Sequence, residues 1–253
     1  MVTLSGCGAT ASAQTIPVVN AGFEADPVPP GAFIVLVPQG WTVYDPLGIV
    51  NQATDAVGLI RPLPGQDFFP GGVPEGNNAA LIYLAGAVDA EVGLEQTLAA
   101  TLTAATRYTL TVQVGNIASG TSLPGSSDGG NVFYNLDGFP GYRIDFMAGN
   151  TVLASDNNSL GGTIPEGEWR LATVTFETGA SHPLLGEALR IRLVNLDLPG
   201  SQASPNIEVD FDDVQLRAVA VPEPSTFALC LVGGTWFAQR RWLRCRGKTM
   251  LGS

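Results

Sequence analysis

The sequence predicts an all-β sandwich with a single short apolar helix at its C-terminus, and three observations carry that prediction. Apolar and polar residues alternate with period two in several runs, most clearly where Tyr108, Leu110, Val112 and Val114 are interleaved with Thr109, Thr111 and Gln113. No run of ten or more residues before Pro222 shows a helical period. The 31 glycines and 18 prolines, set among few charges, punctuate the chain into many short strands. With 253 residues and 45% hydrophobic content, the chain has room for one sizeable core plus terminal extras.

Residues 1–14 have the character of a partial secretory leader. Ala11-Ser12-Ala13 before Gln14 fits small-residue cleavage, although no basic segment precedes it and the reading frame is expected to start upstream. Leu4-Ser5-Gly6-Cys7 offers a rival lipoprotein pattern ending on Cys7. The body, residues 15–218, opens with short β-prone runs at 15–20 and 40–44, separated by proline- and glycine-rich turns. A long loop with Pro62, Pro64, Pro70 and Pro74 leads to an apolar run at 78–84. After the Tyr108 strand, residues 116–141 form the longest irregular stretch. Strands follow at 142–146 and 151–153, joined at Gly149-Asn150 as a hairpin, then at 169–178 and 188–196. The final strand spans 207–219. There Ile207, Val209 and Phe211 share a face, but the next apolar pair is Val214 and Leu216, so the phase slips and predicts a β-bulge at Asp212-Asp213.

Beyond the body lie a linker at 219–226 with Pro222, Glu223 and Pro224, a hydrophobic segment with a basic end at 227–246, and a tail at 247–253. The two prolines insulate the segment from what precedes it. Its apolar run, 227–238, spans roughly 18 Å as a helix, short of a hydrocarbon core of about 30 Å. Arg240, Arg241, Arg244 and Arg246 hold its end on the cytoplasmic side. The ordered set of Pro-Glu-Pro, short transmembrane helix and arginine cluster resembles the PEP-CTERM sorting signal. That resemblance covers the last thirty or so residues. It implies an exosortase-type processing enzyme as partner, transient anchoring in the inner membrane, export, and a final place at the cell surface or outside the cell.

Charge and cysteine usage split the chain the same way. The net charge is -11, and residues 222–253 carry +4 of it, which leaves -15 on a body with seven arginines and no lysine. Such a body excludes nucleic acid and anionic lipid surfaces as partners. Cys7, Cys230 and Cys245 all lie outside the body, which excludes a disulfide scaffold and a cysteine-based zinc site.

The order Asn20-x-Gly22-Phe23-Glu24, Gly40-Trp41, Gln96-x-Leu98, Tyr108-Thr109-Leu110, Gly167-x-Trp169 and Phe211-Asp212-Asp213-Val214 resembles jelly-roll carbohydrate-binding modules and galactose-binding-like domains. The resemblance implies a jelly-roll β-sandwich and a structural calcium joining the first strand to the last. Glu24 and Asp212, with Asp213 beside it, are the matching positions; hard oxygens from opposite chain ends would form a clamp. The other reading makes Glu24 a turn acid and the aspartates solvated bulge residues. For sugar stacking, Phe133, Tyr134, Phe139 and Tyr142 are the candidates, against a loop that packs on its own side chains. Trp41 and Trp169 start strands where core filling is the commoner role. Catalysis finds little support: Gly125-Ser126-Ser127-Asp128-Gly129 has nucleophile-elbow spacing without the strand–turn–helix around it, and the one histidine, His182, precedes Pro183 in a loop. The expectation is an exported, non-enzymatic surface or matrix protein. A carbohydrate-binding module acting on exopolysaccharide is the alternative, and a secreted hydrolase the third.

Overall fold

The computed structural model describes residues 12–51, 56–85, 90–198 and 206–221. In chain order the strands are β1 (Gln14–Ile16), β2 (Phe33–Ile34), β3 (Thr42–Tyr44), β4 (Ala56–Ile60), β5 (Ala79–Ala85), β6 (Val92–Thr101) and β7 (Thr106–Asn116). They continue with β8 (Gly120–Thr121), β9 (Phe133–Tyr134), β10 (Tyr142–Ala148), β11 (Thr151–Asn157), β12 (Glu168–Glu177), β13 (Ala188–Asn195) and β14 (Asn206–Ala220). There is no helix among the described residues. One sheet runs β12-β7-β14-β5-β4-β2, with β1 also on β14; the other runs β11-β10-β13-β6-β3, and β8-β9 form a separate small hairpin. The predicted all-β sandwich is present. The C-terminal helix, with Pro222, Glu223, Pro224 and the arginines, lies outside the described residues, as do Cys7 and most of the leader. No helix of the described residues is long and apolar enough to cross a membrane.

The core lies between the sheets. Ile82, Leu110, Val112, Val209 and Phe211 of the first meet Leu94, Ile144, Phe146, Ile191 and Leu193 of the second, and Tyr108 reaches across to Phe146 at 5.3 Å. Strict alternation explains why: each strand sends every second side chain inward. Strand β6 is longer than the Gln96–Leu98 motif suggested. Gln96 is buried and its amide pairs with Val19 in both directions, accepting from Val19 N at 2.8 Å and donating to Val19 O at 2.9 Å. This holds the N-terminal segment to the second sheet.

The bulge in β14 falls where the phase slip placed it, between Asp212 and Gln215, with Asp213 at φ 47°. Its role is topological. Before the bulge β14 pairs with β5; after it, the same edge pairs with β1, and Val214 N bonds Ala21 O at 3.0 Å where the neighbours change.

Candidate active site

In a two-layer sandwich the outer face of a sheet ordinarily meets water. Over β4, β5 and the first half of β14 in the first sheet it does not. Leu81, Ala79 and Ile60 are buried on that face, beneath Phe68, Phe69, Ile117 and Leu136, with Phe33, Tyr83, Tyr134 and Trp169 packed around them. The cover comes from two long connections, 61–78 and 117–136. Strand β5 is therefore apolar on both faces, whereas β14 is not. Val209 and Phe211 enter the core, so Glu208 and Asp210 point to the other side, into the second cluster.

Register places both acids. Glu208 pairs with Tyr83, and Asp210 with Leu81 on one side and Gly115 on the other. Asp210 is 0% exposed and Glu208 7%; no N–H or hydroxyl group donates to either oxygen of Asp210, and its hydrogen-bond partner is the Glu208 carboxyl, with which it can share a proton. Burial pushes Glu208 up to about 8; burial and then the charge of Glu208 hold Asp210 well above the usual carboxylate range. At neutral pH the pair is thus held largely protonated. A neutral carboxylic acid among aromatic rings can donate a proton, which an ionised surface carboxylate cannot do at that pH.

The rings have defined places. Phe69 stacks on Trp169 with centroids 4.5 Å apart, and the Trp169 indole donates from Nε1 to Gly72 O at 3.1 Å. Gly115 makes room for both: a Cβ there would lie 2.8 Å from Trp169 Cζ3 and 2.9 Å from Phe69 Cζ. Tyr134 stands edge-on to Phe33 at 5.8 Å and to Tyr83 at 6.0 Å. Burial is the main cause raising its phenol above the ordinary range, with Asp128, Tyr83 and Glu208 adding to it.

Of the aromatics selected for ligand contact, Tyr134 alone belongs to this cluster. Phe133 points the other way and is 65% exposed. Tyr142 is buried in the main core, donating to Asp156 Oδ2 at 2.7 Å, and Phe139 packs beside it at 6.2 Å. Trp41 fills the core against Phe23, 5.4 Å away, but Trp169 does not: it sits on the outer face. Glu208, Asp210, Phe33, Phe69 and Tyr83 were not anticipated. The available signal was the unbroken apolar run of β5, which shows that the neighbouring face of β14 could not be solvated.

The calcium candidates grip one segment, 75–78. Glu24 Oε1 accepts from Asn77 N and Asn78 N at 2.6 Å each, while Asp212 Oδ2 accepts from Glu75 N at 2.8 Å. Asp212 is wholly buried, and burial pushes it up to about 8. Asp213 instead receives Gln215 Nε2 at 2.7 Å. Buried Asn78, whose backbone N bonds Glu24, leaves its side-chain Oδ1 unpartnered. Among the described residues, no group of three or more His, Cys, Asp or Glu side chains is arranged to hold a metal ion.

Comparison with known proteins identifies the architecture. A family model described as HpiC1-like, HpiC1 cyclase, matches residues 14–217. An apo-form cyclase from Fischerella sp. is 39% identical, superposes with a TM-score of 0.71, and is matched over 84% of this chain and 99% of that one. The Stig cyclase Fisc from Fischerella sp. TAU, in complex with (3Z)-3-(1-methyl-2-pyrrolidinylidene)-3H-indole, is also 39% identical at a TM-score of 0.71, over 83% and 100% of the two chains. A cyclase from the same source in complex with 4-(1H-indol-3-yl)butan-2-one is 40% identical at 0.70, again over 83% and 100%. Carbohydrate-binding modules occur among the structural neighbours, one at 14% identity and a TM-score of 0.42, too remote for any inference about ligand. Comparison with curated proteins returns no match.

These matches overturn the expectation of a non-enzymatic surface or matrix protein, together with its carbohydrate-binding and hydrolase alternatives, and they give the sorting-signal resemblance no support. The difference has a physical source: nothing in the sequence of β14 singles out Glu208 and Asp210, because the loops that bury them leave no mark in that strand. With 39% identity over nearly the whole of a solved cyclase and a family match across residues 14–217, the chain belongs to the HpiC1-like cyclase family.

Proposed function

We propose that this protein closes a ring on an indole-bearing small molecule by acid catalysis, with Asp210 as proton donor and Glu208 as the group that keeps it protonated. The observation that carries the reading is the wholly buried Asp210 carboxyl, paired only with the Glu208 carboxyl, on the sheet face that the aromatic cluster covers. The indole ligands of two similar cyclases support the substrate class. In the step proposed, the Asp210 O–H bond breaks and its proton adds to a π-bond of the substrate, leaving a carbocation. Electrons of the indole π-system form the new carbon–carbon bond to that cation. A carbon-bound proton then leaves to the Asp210 carboxylate, which restores the acid. The product is an isomer of the substrate, so no oxidant or reductant takes part. The rings of Tyr134, Phe33 and Trp169 exclude water and present negative faces to the cation.

A calcium ion at segment 75–78 would take Glu24, Asp212 and the unpartnered Asn78 Oδ1, in exchange for the backbone N–H groups that Glu24 Oε1 and both Asp212 oxygens now accept. A carbonyl oxygen serves calcium as well as a carboxylate does, so three acidic side chains are not required. Bound there, the ion would fix the covering loop to β14.

The test is incubation with indoles bearing an alkenyl side chain, run in D2O. The expected product has a new retention time and carries one deuterium from the acid; Asp210→Asn abolishes it. A wild-type protein that neither converts such substrates nor binds 4-(1H-indol-3-yl)butan-2-one would overturn the reading.

A further inference from the structure

The segment Gly125-Ser126-Ser127-Asp128-Gly129, whose spacing suggested a nucleophile elbow, is tied to the aromatic cluster at three points. Ser127 N donates to Phe33 O at 3.0 Å, and Ser127 Oγ accepts from Val35 N at 2.9 Å. Ser126 Oγ accepts from Phe33 N at 3.3 Å. Asp128 gathers the rest: Oδ1 accepts from Gly130 N at 2.8 Å, while Oδ2 accepts from buried Ser122 Oγ at 2.7 Å and from the Tyr134 hydroxyl at 3.1 Å. Ser122 Oγ in turn accepts from Val132 N at 3.0 Å. One carboxylate thereby joins the turn, β8 and β9 of the flap.

We propose that Asp128 is a positioning residue for the cyclase site: it anchors the Tyr134 hydroxyl at the exposed rim, so that Tyr134 presents its ring and not its O–H to the Glu208–Asp210 side of the cluster. This rests on the proposed function, since it concerns how a cationic intermediate is housed. The chemistry favours such an arrangement. A phenol O–H turned inward would hydrogen-bond the acid pair or hold water against the cation, and either would divert the proton. The ring stands perpendicular to both Phe33 and Tyr83, and these contacts hold it in the cluster while its hydroxyl bonds Asp128. The same segment carries Phe33 and Tyr134 as a unit, because Ser126 and Ser127 hold β2 while Asp128 holds β9.

A double-mutant cycle on the whole protein tests this, with Asp128→Asn, Tyr134→Phe and the combination. Asparagine keeps an acceptor for Gly130 N, which preserves the turn. The first readout is affinity for 4-(1H-indol-3-yl)butan-2-one by calorimetry. Asp128→Asn is expected to weaken binding roughly fivefold, the equivalent of one hydrogen bond, when Tyr134 is present, and by less than twofold in the Tyr134→Phe background. Equal weakening in both backgrounds, or none in either, overturns the proposal. The second readout is alkaline absorbance titration, in which Tyr134→Phe identifies the Tyr134 transition and Asp128→Asn moves it to lower pH. Should the wild type neither bind the probe nor convert the alkenyl indoles, the functional reading fails; whenever the probe does not bind, the titration alone decides the anchor, and a Tyr134 transition unmoved by Asp128→Asn overturns it.

Discussion

Asp210 and Asp212 stand two residues apart on one strand, both wholly buried and both held above the usual carboxylate range by burial. Their partners separate their roles. Asp212 accepts from Glu75 N and Asp213 N, so its oxygens are committed to the backbone. Asp210 accepts from no backbone N–H, is hydrogen-bonded only to the Glu208 carboxyl, and lies against Leu81 and Gly115. The first is built to hold a loop, the second to part with a proton. Asp210→Asn is therefore expected to lower the cyclisation rate by about 10²–10⁴, the usual worth of a general acid, with little change in melting temperature. Asp212→Asn should do the reverse, lowering melting temperature and leaving turnover largely intact. The same protonation logic gives the pH profile. Activity needs the acid form of Asp210, so it persists through neutral pH and past the ionisation of Glu208 near pH 8, whose charge holds the Asp210 proton, and declines only at higher pH; a rate that rises with pH from about 6 to 8 would show Asp210 acting as a base.

At the scale of elements, the site depends on one sheet being buried twice. Much of the fold was legible from alternation alone: β7 and most of β13 obey it, β10 sends Tyr142, Ile144 and Phe146 into the core as its sequence suggested although Asp145 is buried too, and the phase slip after Phe211 located the bulge. The site was not legible, because Glu208-Val209-Asp210-Phe211 is also what an ordinary half-solvated strand looks like. What changes its meaning is the cover, residues 61–78 and 117–136, whose docking leaves no local pattern in β14 itself. Only β5 carries a trace, in the unbroken run Ala80-Leu81-Ile82-Tyr83-Leu84. Tyr134 was picked out for a ligand as a loop aromatic, and it sits in the cluster; its neighbour Phe133 carries the same sequence signal and faces away, because adjacent strand residues point oppositely. Gly115 shows how tightly the cover fits. Gly115→Ala places a methyl against Trp169 and Phe69, an overpacking that costs about 1–3 kcal/mol and displaces the rings from Asp210. The expected result is a changed near-ultraviolet dichroism, a few degrees off the melting temperature and a larger relative loss of turnover. Unaltered turnover would place the substrate away from these rings.

For the molecule as a whole, three buried acids make stability a function of pH with an unusual sign. Carboxyls in the unfolded chain titrate near 4. Glu208 and Asp212 titrate near 8 in the folded chain, with Asp210 also raised. Below pH 4 both states hold these protons and the contribution to folding is complete. Between about 4 and 8 the unfolded chain releases them while the folded chain keeps them, so stability falls as pH rises, by up to roughly 1.4 kcal/mol per pH unit for each group. Glu91 works in the opposite direction. Its hydrogen bond to Arg143 holds it below its usual value, so its contribution is lost as pH falls through that lower value, but its side chain is 37% exposed and the effect is screened. The melting temperature should therefore be higher near pH 5 than near pH 8, and Glu208→Gln combined with Asp210→Asn should flatten much of that slope. Calcium provides a separate control. A cation on Asp212 favours its ionised form and binds the folded state alone, so added calcium should raise the melting temperature most at pH 8, and a chelator should return it to the metal-free value. A melting temperature insensitive to both would remove calcium from the 75–78 segment and leave Asp212 as a buried acid held by backbone N–H groups. A melting temperature that climbs steadily from pH 5 to 8 without metal would mean that these carboxyls are ionised in the folded protein, and the acid chemistry assigned to Asp210 would fall with them.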